Sequence, residues 1–226
     1  MENLLRISGV IILIILIQSC KKDEDSNIKI TDADGNVYTS VTIGTQVWMV
    51  ENLKTTKYRN GDLIGTTTPA TLEISLDSTS KYQWAYEGNE SNVNTYGRLY
   101  TWYAVTDTRN VCPVGWHVPT DAEWTTLLTY LGGEDVAGGK LKETGTIHWS
   151  APNEGATNSS GFTALPSGDR YYDGAYYYIG YAGFWWSSTE FLSYNAYSRN
   201  MHSDIAGVYR YGSAKNFGFS VRCIRD

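Results

Sequence analysis

The amino-acid sequence predicts an α+β fold, and three observations carry that prediction. Near the start, short apolar runs flank a turn rich in Asp, Gly and Asn, which is typical of paired strands. In the middle, one segment combines a helix start signal with a single apolar face. The second half is a series of short aromatic and β-branched segments without a repeating period, which excludes solenoids and propellers.

The early segments predict three strands, at 28–30, 37–43 and 46–50, with a turn at 32–36 between the first two. The turn lacks the third Asp or Asn ligand position and the closing Glu of a calcium-binding loop, so turn chemistry is the better interpretation. The polar stretch at 51–79 predicts a long loop.

Two helices are predicted. The first is short and covers 96–105, where large residues recur at helical spacing. The second begins after Thr120, which can form a capping box with Glu123, and Gly132 and Gly133 end it. Its apolar face consists of Trp124, Leu127, Leu128 and Leu131. The segments that follow the helices are predicted as strands at 162–165, 176–181, 183–189, 194–201, 208–211 and 217–224.

The composition fits a globular domain with a substantial core. Hydrophobic residues make up 42% of the 226 residues, and the chain has 8 Trp and 18 Tyr, which excludes disordered, collagenous and coiled-coil proteins. Lys and Arg number 18 against 24 Asp and Glu, for a net charge of −6. Because no stretch concentrates enough positive charge to neutralise several phosphates, no nucleic-acid partner is expected.

The N-terminal segment predicts a signal peptide at 1–19. After a basic start that includes Arg6, the uncharged run 7–17 is eleven residues long. As a helix it would measure about 16 Å, against about 30 Å for a hydrocarbon core, so it is too short to span a membrane. A charged start, a short apolar run and a small residue before the break describe a cleaved export signal.

The end of this segment, Ile17-Gln18-Ser19-Cys20, resembles the bacterial lipobox. The resemblance implies lipidation of Cys20 and a membrane partner through the lipid anchor; the alternative is an ordinary cleaved signal in which Cys20 is incidental. Residues 20–27 then form an acidic tether. Its stretch from Lys21 to Asp25 is similar to the signal that sends Bacteroidetes lipoproteins to the outer face of the outer membrane. We therefore expect an outer-membrane lipoprotein that faces the cell exterior.

Lipidation of Cys20 would leave only Cys112 and Cys223, which allows one intramolecular pair. Export permits a disulfide, and this is the favoured interpretation. Two alternatives stay open at this point. The two residues could be buried free thiols, or one could be a catalytic Cys, which would need a His and an orienting carboxylate or amide nearby.

Several separated blocks resemble the Fibrobacter succinogenes major paralogous domain. The blocks are VTIGTQVWMVENL at 41–53, YGRLYTW at 96–102, CPVGWHVPTDAEW at 112–124, WWSSTE at 185–190 and FSVRCIRD at 219–226. The resemblance implies a C-type lectin-like fold, similar to the sulfatase-modifying factors, with a twisted antiparallel sheet, one or two helices and long loops over a domain at 28–226. It implies fold more than function, because this scaffold hosts unrelated activities.

No residue set identifies a reaction. The formylglycine-generating relatives use two cysteines five positions apart, whereas here Cys223 stands alone and Gly218 occupies the earlier position. No catalytic residues are therefore assigned, although a pair of carboxylates remains an open alternative. The three His residues, His117, His148 and His202, are isolated in sequence, so no metal site is expected. The lectin calcium motifs are incomplete at 151–153 and 186–188. No cofactor is therefore expected, and calcium stays an open alternative that the residues do not support.

The candidate ligand-binding segment is 171–186, in which nine of sixteen residues are aromatic. Its predicted binding residues are Tyr171, Tyr172, Tyr176, Tyr178 and Tyr181, with Asp169, Arg170 and Asp173 beside them. In an extended segment Tyr176 and Tyr178 share one face and Tyr177 lies on the other, and tyrosine rings suit sugar C–H faces or a protein partner. The competing interpretation is that the rings fill the core, above all at Trp185 and Trp186.

These features together predict a cell-surface lipoprotein whose domain binds or adheres to a glycan or a protein without catalysis. Two alternatives are a secreted enzyme that acts on polysaccharide or protein, and a purely structural surface module.

Overall fold

The computed structural model describes residues 29–77 and 79–226. The predicted signal peptide, Cys20 and the tether lie outside the described residues. The described part is α+β, as predicted. Its helices are α1 (Val93–Tyr96), α2 (Trp102–Val105), α3 (Asp121–Tyr130) and α4 (Glu134–Leu141). Its strands are β1 (Ile30–Thr31), β2 (Val37–Tyr38), β3 (Ser40–Ile43), β4 (Gln46–Met49), β5 (Gln83–Trp84), β6 (Leu99–Tyr100), β7 (Trp116–His117), β8 (Ser167–Arg170), β9 (Tyr176–Ile179), β10 (Ala182–Leu192), β11 (Asn195–His202), β12 (Tyr209–Ala214) and β13 (Ile224–Arg225).

Two larger sheets organise these strands. One has five strands in the order β12-β11-β10-β8-β9, and the other has four in the order β3-β4-β13-β7. Neighbouring strands are antiparallel except β8 and β10, which pair in parallel where Gly168 meets Gly183. The five-stranded sheet carries most of the aromatic segment that the sequence analysis singles out.

Helix α3 confirms the predicted capping box. The Thr120 hydroxyl accepts a hydrogen bond from the backbone N–H of Glu123, and the Glu123 carboxylate accepts one from the N–H of Thr120 at 2.7 Å. Trp124, Leu127 and Leu128 are buried along one face, as the spacing predicts. Because the cap satisfies donors that the first turn leaves free, it fixes where the helix begins.

Helix α4 was not predicted, since only strands and loops were expected after Gly132 and Gly133. These two glycines adopt φ values of +101° and +100° and form a corner between two helices. Helix α4 contains Gly138 and Gly139, and glycine has a low helix propensity. The sequence alone therefore does not predict a helix here. The packing of α4 nevertheless requires glycine at both positions. A Cβ on Gly138 would lie 2.2 Å from a backbone oxygen of a neighbouring loop, and a Cβ on Gly139 would lie 2.3 Å from another.

Three other predicted elements differ in the structure. The segment 96–105 is not one helix, because Tyr100 lies in strand β6 and exchanges two backbone hydrogen bonds with Phe219. The predicted strand 162–165 has one bridge, at Ala164, and the strand itself begins at Ser167. The predicted strand 217–224 forms isolated bridges before β13. In each case tertiary pairing, which local sequence does not reveal, decides the backbone conformation.

Strand β10 runs through the core and is buried on both faces over its first half. Trp186 packs against Phe219, with ring centroids 4.4 Å apart. Trp185 points the other way, into a cluster that contains Trp48 and Trp124, whose centroids lie 4.8 Å apart. Both Trp185 and Trp186 are completely buried, so this part of the aromatic segment is core.

A buried polar cluster joins β10 to distant parts of the chain. The Asn52 carbonyl oxygen accepts hydrogen bonds from the Trp185 indole at 2.8 Å and from Nη2 of the Arg222 guanidinium at 2.8 Å. The Asn52 amide donates to the carbonyl of Tyr96. Burial lowers the pKa of Arg222 to about 9. The guanidinium also donates to the main-chain carbonyls of Met49 and Phe162, so it connects several segments. It forms no ion pair with a carboxylate of residues 29–77 or 79–226.

The structure confirms a disulfide between Cys112 and Cys223. The two sulfurs are 2.08 Å apart, and both residues are buried. The bond connects the loop before β7 to the segment that leads into β13. Because neither sulfur is free, the alternatives of two free thiols and a catalytic Cys are excluded for this pair.

Candidate functional site

The candidate site lies on the β8–β9 hairpin and the neighbouring strands of the five-stranded sheet. The hairpin turns at 171–175, where Gly174 has a φ of +90°. A Cβ on Gly174 would lie 1.9 Å from the carbonyl oxygen of Thr71. The tip of the hairpin is therefore held against the long loop, and Asp173 lies exposed at the turn.

Arg170 is fully buried and belongs to the framework of the hairpin. Its guanidinium lies 4.1 Å from the ring centroid of Trp84 and donates to the carbonyls of Ala70, Leu72 and Tyr171. These bonds fasten the hairpin to the long loop. Since its donors point inward to carbonyls, Arg170 positions the tyrosines of the turn and offers no exposed charge to a ligand.

Asp169 is also buried, with 1% of its surface exposed, and it has no ion-pair partner in the described part of the chain. Its Oδ1 atom lacks a hydrogen-bond partner. Burial raises the pKa of this carboxyl to about 8. Burial therefore favours the protonated form of Asp169 at neutral pH. The pKa of the Tyr171 hydroxyl is also raised, to about 12. Burial is the largest cause, and the negative charge of ionised Asp169 is the second.

The tyrosines of β9 do not alternate as an extended strand would. Tyr178 has a φ of +68°, and this left-handed residue breaks the two-residue alternation of faces. Tyr177 and Tyr178 are 41% and 45% exposed, with their ring centroids 5.8 Å apart. Tyr176 is half-buried, packs on Tyr86 and donates to the carbonyl of Ala70. The exposed pair is therefore Tyr177 with Tyr178, and not Tyr176 with Tyr178.

Nine rings form a continuous strip that we call the aromatic ribbon. In spatial order the ribbon consists of Tyr172, Phe217, Tyr171, Tyr177, Tyr178, Tyr181, His202, Tyr209 and Tyr211. Successive ring centroids lie between 4.5 and 6.2 Å apart. Five of the tyrosines are between 41% and 51% exposed. A contiguous exposed aromatic surface of this kind usually marks a binding site.

The aromatic ribbon includes His202, whose charged form is disfavoured. His202 packs edge-on against Tyr181 and Tyr209, at 5.6 and 5.7 Å. Burial and the nearby ammonium of Lys142 lower the pKa of His202, and Asp204 opposes them only in part. Lys142 itself is held by three backbone carbonyls. The Tyr181 hydroxyl donates to Asp204, so this carboxylate lies at the border of the ribbon.

The chemistry available here is binding by ring faces and hydroxyl groups. Within residues 29–77 and 79–226, no group of three or more His, Cys, Asp or Glu side chains is placed to hold a metal ion. His117 and His148 hydrogen-bond to carboxylates instead. The Asn153 amide, in the incomplete lectin motif, donates to the carbonyls of Glu143 and Gly145.

The structure brings part of the predicted set together and adds residues to it. The tyrosines at 171, 172, 178 and 181 lie in the aromatic ribbon, whereas Asp169, Arg170 and Tyr176 lie beneath or behind it. Sequence reasoning missed Tyr177, His202, Tyr209, Tyr211 and Phe217. The i, i+2 spacing of Tyr209 and Tyr211 in a predicted strand could have indicated a shared face. The contact across strands could not be inferred.

The comparisons with known proteins give one result. The family described as the Fibrobacter succinogenes major domain matches residues 41–225. No curated protein and no solved structure matches the chain. Three of the blocks that carry the resemblance meet in the core, where Trp185 and Arg222 both donate to the side-chain oxygen of Asn52. Because the match covers more than half of the sequence, the chain belongs to the Fibrobacter succinogenes major domain family.

Proposed function

We propose that this protein is a lipid-anchored binding domain that faces the cell exterior and holds a glycan on its aromatic ribbon, without catalysing a reaction. The aromatic ribbon is the observation that carries the proposal. It places five half-exposed tyrosines in one strip along β9, the turn before it and β12. Rigid aromatic side chains lose little entropy on binding, so such a strip is suited to recognition.

A glycan fits this surface better than a protein does. Tyrosine combines an apolar face with a polar edge, which matches a pyranose ring with C–H groups on its faces and hydroxyls around its rim. The ribbon is a narrow line of rings, whereas a stable protein interface needs about 800 Å² on each partner with a packed apolar centre. Asp173 and Asp204 beside the ribbon provide acceptors for sugar hydroxyls.

Two observations support the proposed location outside the cell. The disulfide between Cys112 and Cys223 fits an oxidising compartment, because such bonds rarely persist in the cytosol. The segment up to Cys20 has the features of a lipoprotein signal. Among the described residues, no helix has the length and apolar character to cross a bilayer.

The glycan proposal is tested with the full chain, purified in a detergent that has no sugar headgroup, on an array of polysaccharides and oligosaccharides. We expect binding that is the same with and without EDTA. Cleavage of a labelled polymer would instead support the enzyme alternative. An array without any bound glycan would contradict the proposal and leave a protein ligand or a structural role.

The anchor is tested separately. Cys20→Ala removes the sulfur that the lipid needs, so this variant should leave the detergent phase in a partitioning experiment. Replacement of residues 21–25 by alanine and glycine should keep lipidation but prevent labelling of intact cells by an impermeant reagent. Unchanged partitioning of the first variant, or unchanged labelling of the second, would refute the corresponding part of the proposal.

A further inference from the structure

A groove of about 330 Å³ opens at the Tyr172 end of the aromatic ribbon. Its side-chain walls and floor include Tyr103, Tyr172, Tyr194, Asp77, Lys215 and Asn216. Tyr172 belongs to both the groove and the ribbon, and Asn216 directly precedes Phe217 of the ribbon. The groove is therefore continuous with the surface on which we place the glycan.

The floor of the groove carries a partly compensated positive charge. Lys215 is 5% exposed, and its ammonium lies 3.0 Å from a carboxylate oxygen of Glu190 and 2.9 Å from the carbonyl of Ser193. It also lies 4.4 Å from the ring centroid of Trp102. Because Glu190 is 55% exposed, water screens its carboxylate, which compensates only part of the positive charge of Lys215. The ammonium therefore keeps some positive charge and can donate a hydrogen bond.

One wall carries a carboxylate. Asp77 accepts a hydrogen bond from the Tyr82 hydroxyl at 3.1 Å. It forms no ion pair with a described residue. An anionic ligand would be repelled by Asp77, and a cationic ligand would meet the ammonium of Lys215. A purely apolar ligand would displace water from Asp77 without replacing the hydrogen bonds of that water, which costs free energy.

A neutral ring with hydroxyl groups is the ligand that satisfies all of these constraints. Three tyrosines offer faces or hydroxyls, Asp77 accepts, Lys215 donates, and the Asn216 side chain can do both. A groove of about 300 Å³ is at the small end of ligand sites. We propose that the groove binds one neutral pyranose, the sugar residue of the glycan chain at this end of the aromatic ribbon.

This inference rests on the proposed function, so the experiment separates the two. The full chain, in the same detergent, is titrated with monosaccharides, and saturation-transfer NMR measures binding. The neutral probes are glucose, galactose and mannose. Glucosamine is the cationic probe and glucuronate is the anionic probe. We expect binding of at least one neutral sugar and weaker binding of the two charged sugars. Preference for a charged sugar, or no binding of a neutral one, overturns the inference.

Two variants complete the test. Tyr194 is 79% exposed, so Tyr194→Ala should keep the fold and weaken the neutral monosaccharide about tenfold, as loss of one stacked ring does. Tyr178→Ala, in the ribbon, should leave monosaccharide binding unchanged but weaken a polysaccharide. If Tyr194→Ala binds the monosaccharide like the wild type, the groove proposal fails while the ribbon proposal stands. If Tyr178→Ala binds the polysaccharide like the wild type, the ribbon proposal fails.

Discussion

Asp169 lies next to the candidate site, and its burial lowers the stability of the folded protein. It is almost fully buried, has an oxygen without a hydrogen-bond partner and lies in the strand that pairs with Tyr177. Buried acids without a counter-ion are uncommon in stable cores and often lie at functional sites.

The first prediction concerns this carboxyl. Its pKa is raised from 3.8 to about 8, so between these pH values the unfolded chain releases a proton that the folded protein keeps. The free energy of unfolding should then fall by up to about 1.4 kcal/mol per pH unit across this window and not change further above it. Asp169→Asn removes this dependence.

We therefore expect Asp169→Asn to raise the free energy of unfolding by several kcal/mol at pH 8 and to have no such benefit at pH 4. Urea unfolding of both proteins at the two pH values measures this difference. An equal effect of the substitution at both pH values would show that the carboxyl is ionised in the folded state.

At the residue scale, counting the cysteines left a single intramolecular pair to predict. Two remaining cysteines could form one disulfide, and they do. The faces of the β9 tyrosines were predicted wrongly because Tyr178 adopts a positive φ, which the sequence does not reveal for a residue other than glycine. The burial of Arg170 and Arg222 also depends on carbonyls contributed by distant loops.

At the element scale, the β8–β9 hairpin sets the position of four tyrosines of the aromatic ribbon. Gly168 of β8 has a φ of +65°, and a Cβ there would lie 2.4 Å from the carbonyl oxygen of Tyr177 and 2.7 Å from the N atom of Ile179. Both neighbours are backbone atoms of β9. The close approach of the two strands therefore requires glycine at this position.

The second prediction compares two glycines that both have positive φ. Gly61 has a φ of +92° and no atom within 4 Å of a Cβ built on it, so Gly61→Ala should cost about 1 to 2 kcal/mol from backbone conformation alone. Gly168→Ala should cost at least about 2 kcal/mol more, because β9 must shift. It should also weaken binding of a glycan to the ribbon.

Thermal and urea unfolding of the two variants measure the difference in stability. Equal stabilities for Gly61→Ala and Gly168→Ala would mean that β9 tolerates the displacement and that the hairpin does not depend on this contact.

The elements with strong local signals were predicted and those defined by tertiary contacts were not. Helix α3 has a capping box and an apolar face, and it begins where predicted. Helix α4 lacks both, and its two glycines are required by neighbouring backbone. Strands β6 and β13 are only two residues long, and they are defined by their pairing with neighbouring strands.

For the whole molecule, the disulfide and the aromatic ribbon both join parts of the chain that are far apart in sequence. Cys112 and Cys223 are separated by 111 positions. The ribbon combines rings from the hairpin, from β11 and from β12 with Phe217. The α+β class and the family could be predicted from sequence, because local signals carry the class and short sequence blocks carry the resemblance to the family. The ribbon could not, because it exists only after the sheet has formed.

The third prediction is that loss of the disulfide lowers stability without removing the binding surface. Closing a loop of about 100 residues is worth roughly 4 to 5 kcal/mol in the chain-entropy treatment. Cys112→Ala combined with Cys223→Ala should lose about this much in urea unfolding, and reductant should not affect the double variant. A wild-type unfolding midpoint that does not respond to reductant would contradict a bridged pair.

The most direct measurement is the dissociation constant for the polysaccharide that the wild-type chain binds, compared among three proteins. Tyr177→Ala combined with Tyr178→Ala removes two exposed rings from the middle of the aromatic ribbon. Tyr130→Ala is the matched control, because Tyr130 is 66% exposed and lies on α3, outside the ribbon. We predict that the double variant binds the polysaccharide at least about tenfold more weakly than the wild type. The Tyr130→Ala control should bind it as tightly as the wild type does. All three proteins should unfold at similar urea concentrations. Equal affinity of the double variant and the wild type, or an equal loss in the Tyr130→Ala control, would contradict a binding function of the aromatic ribbon.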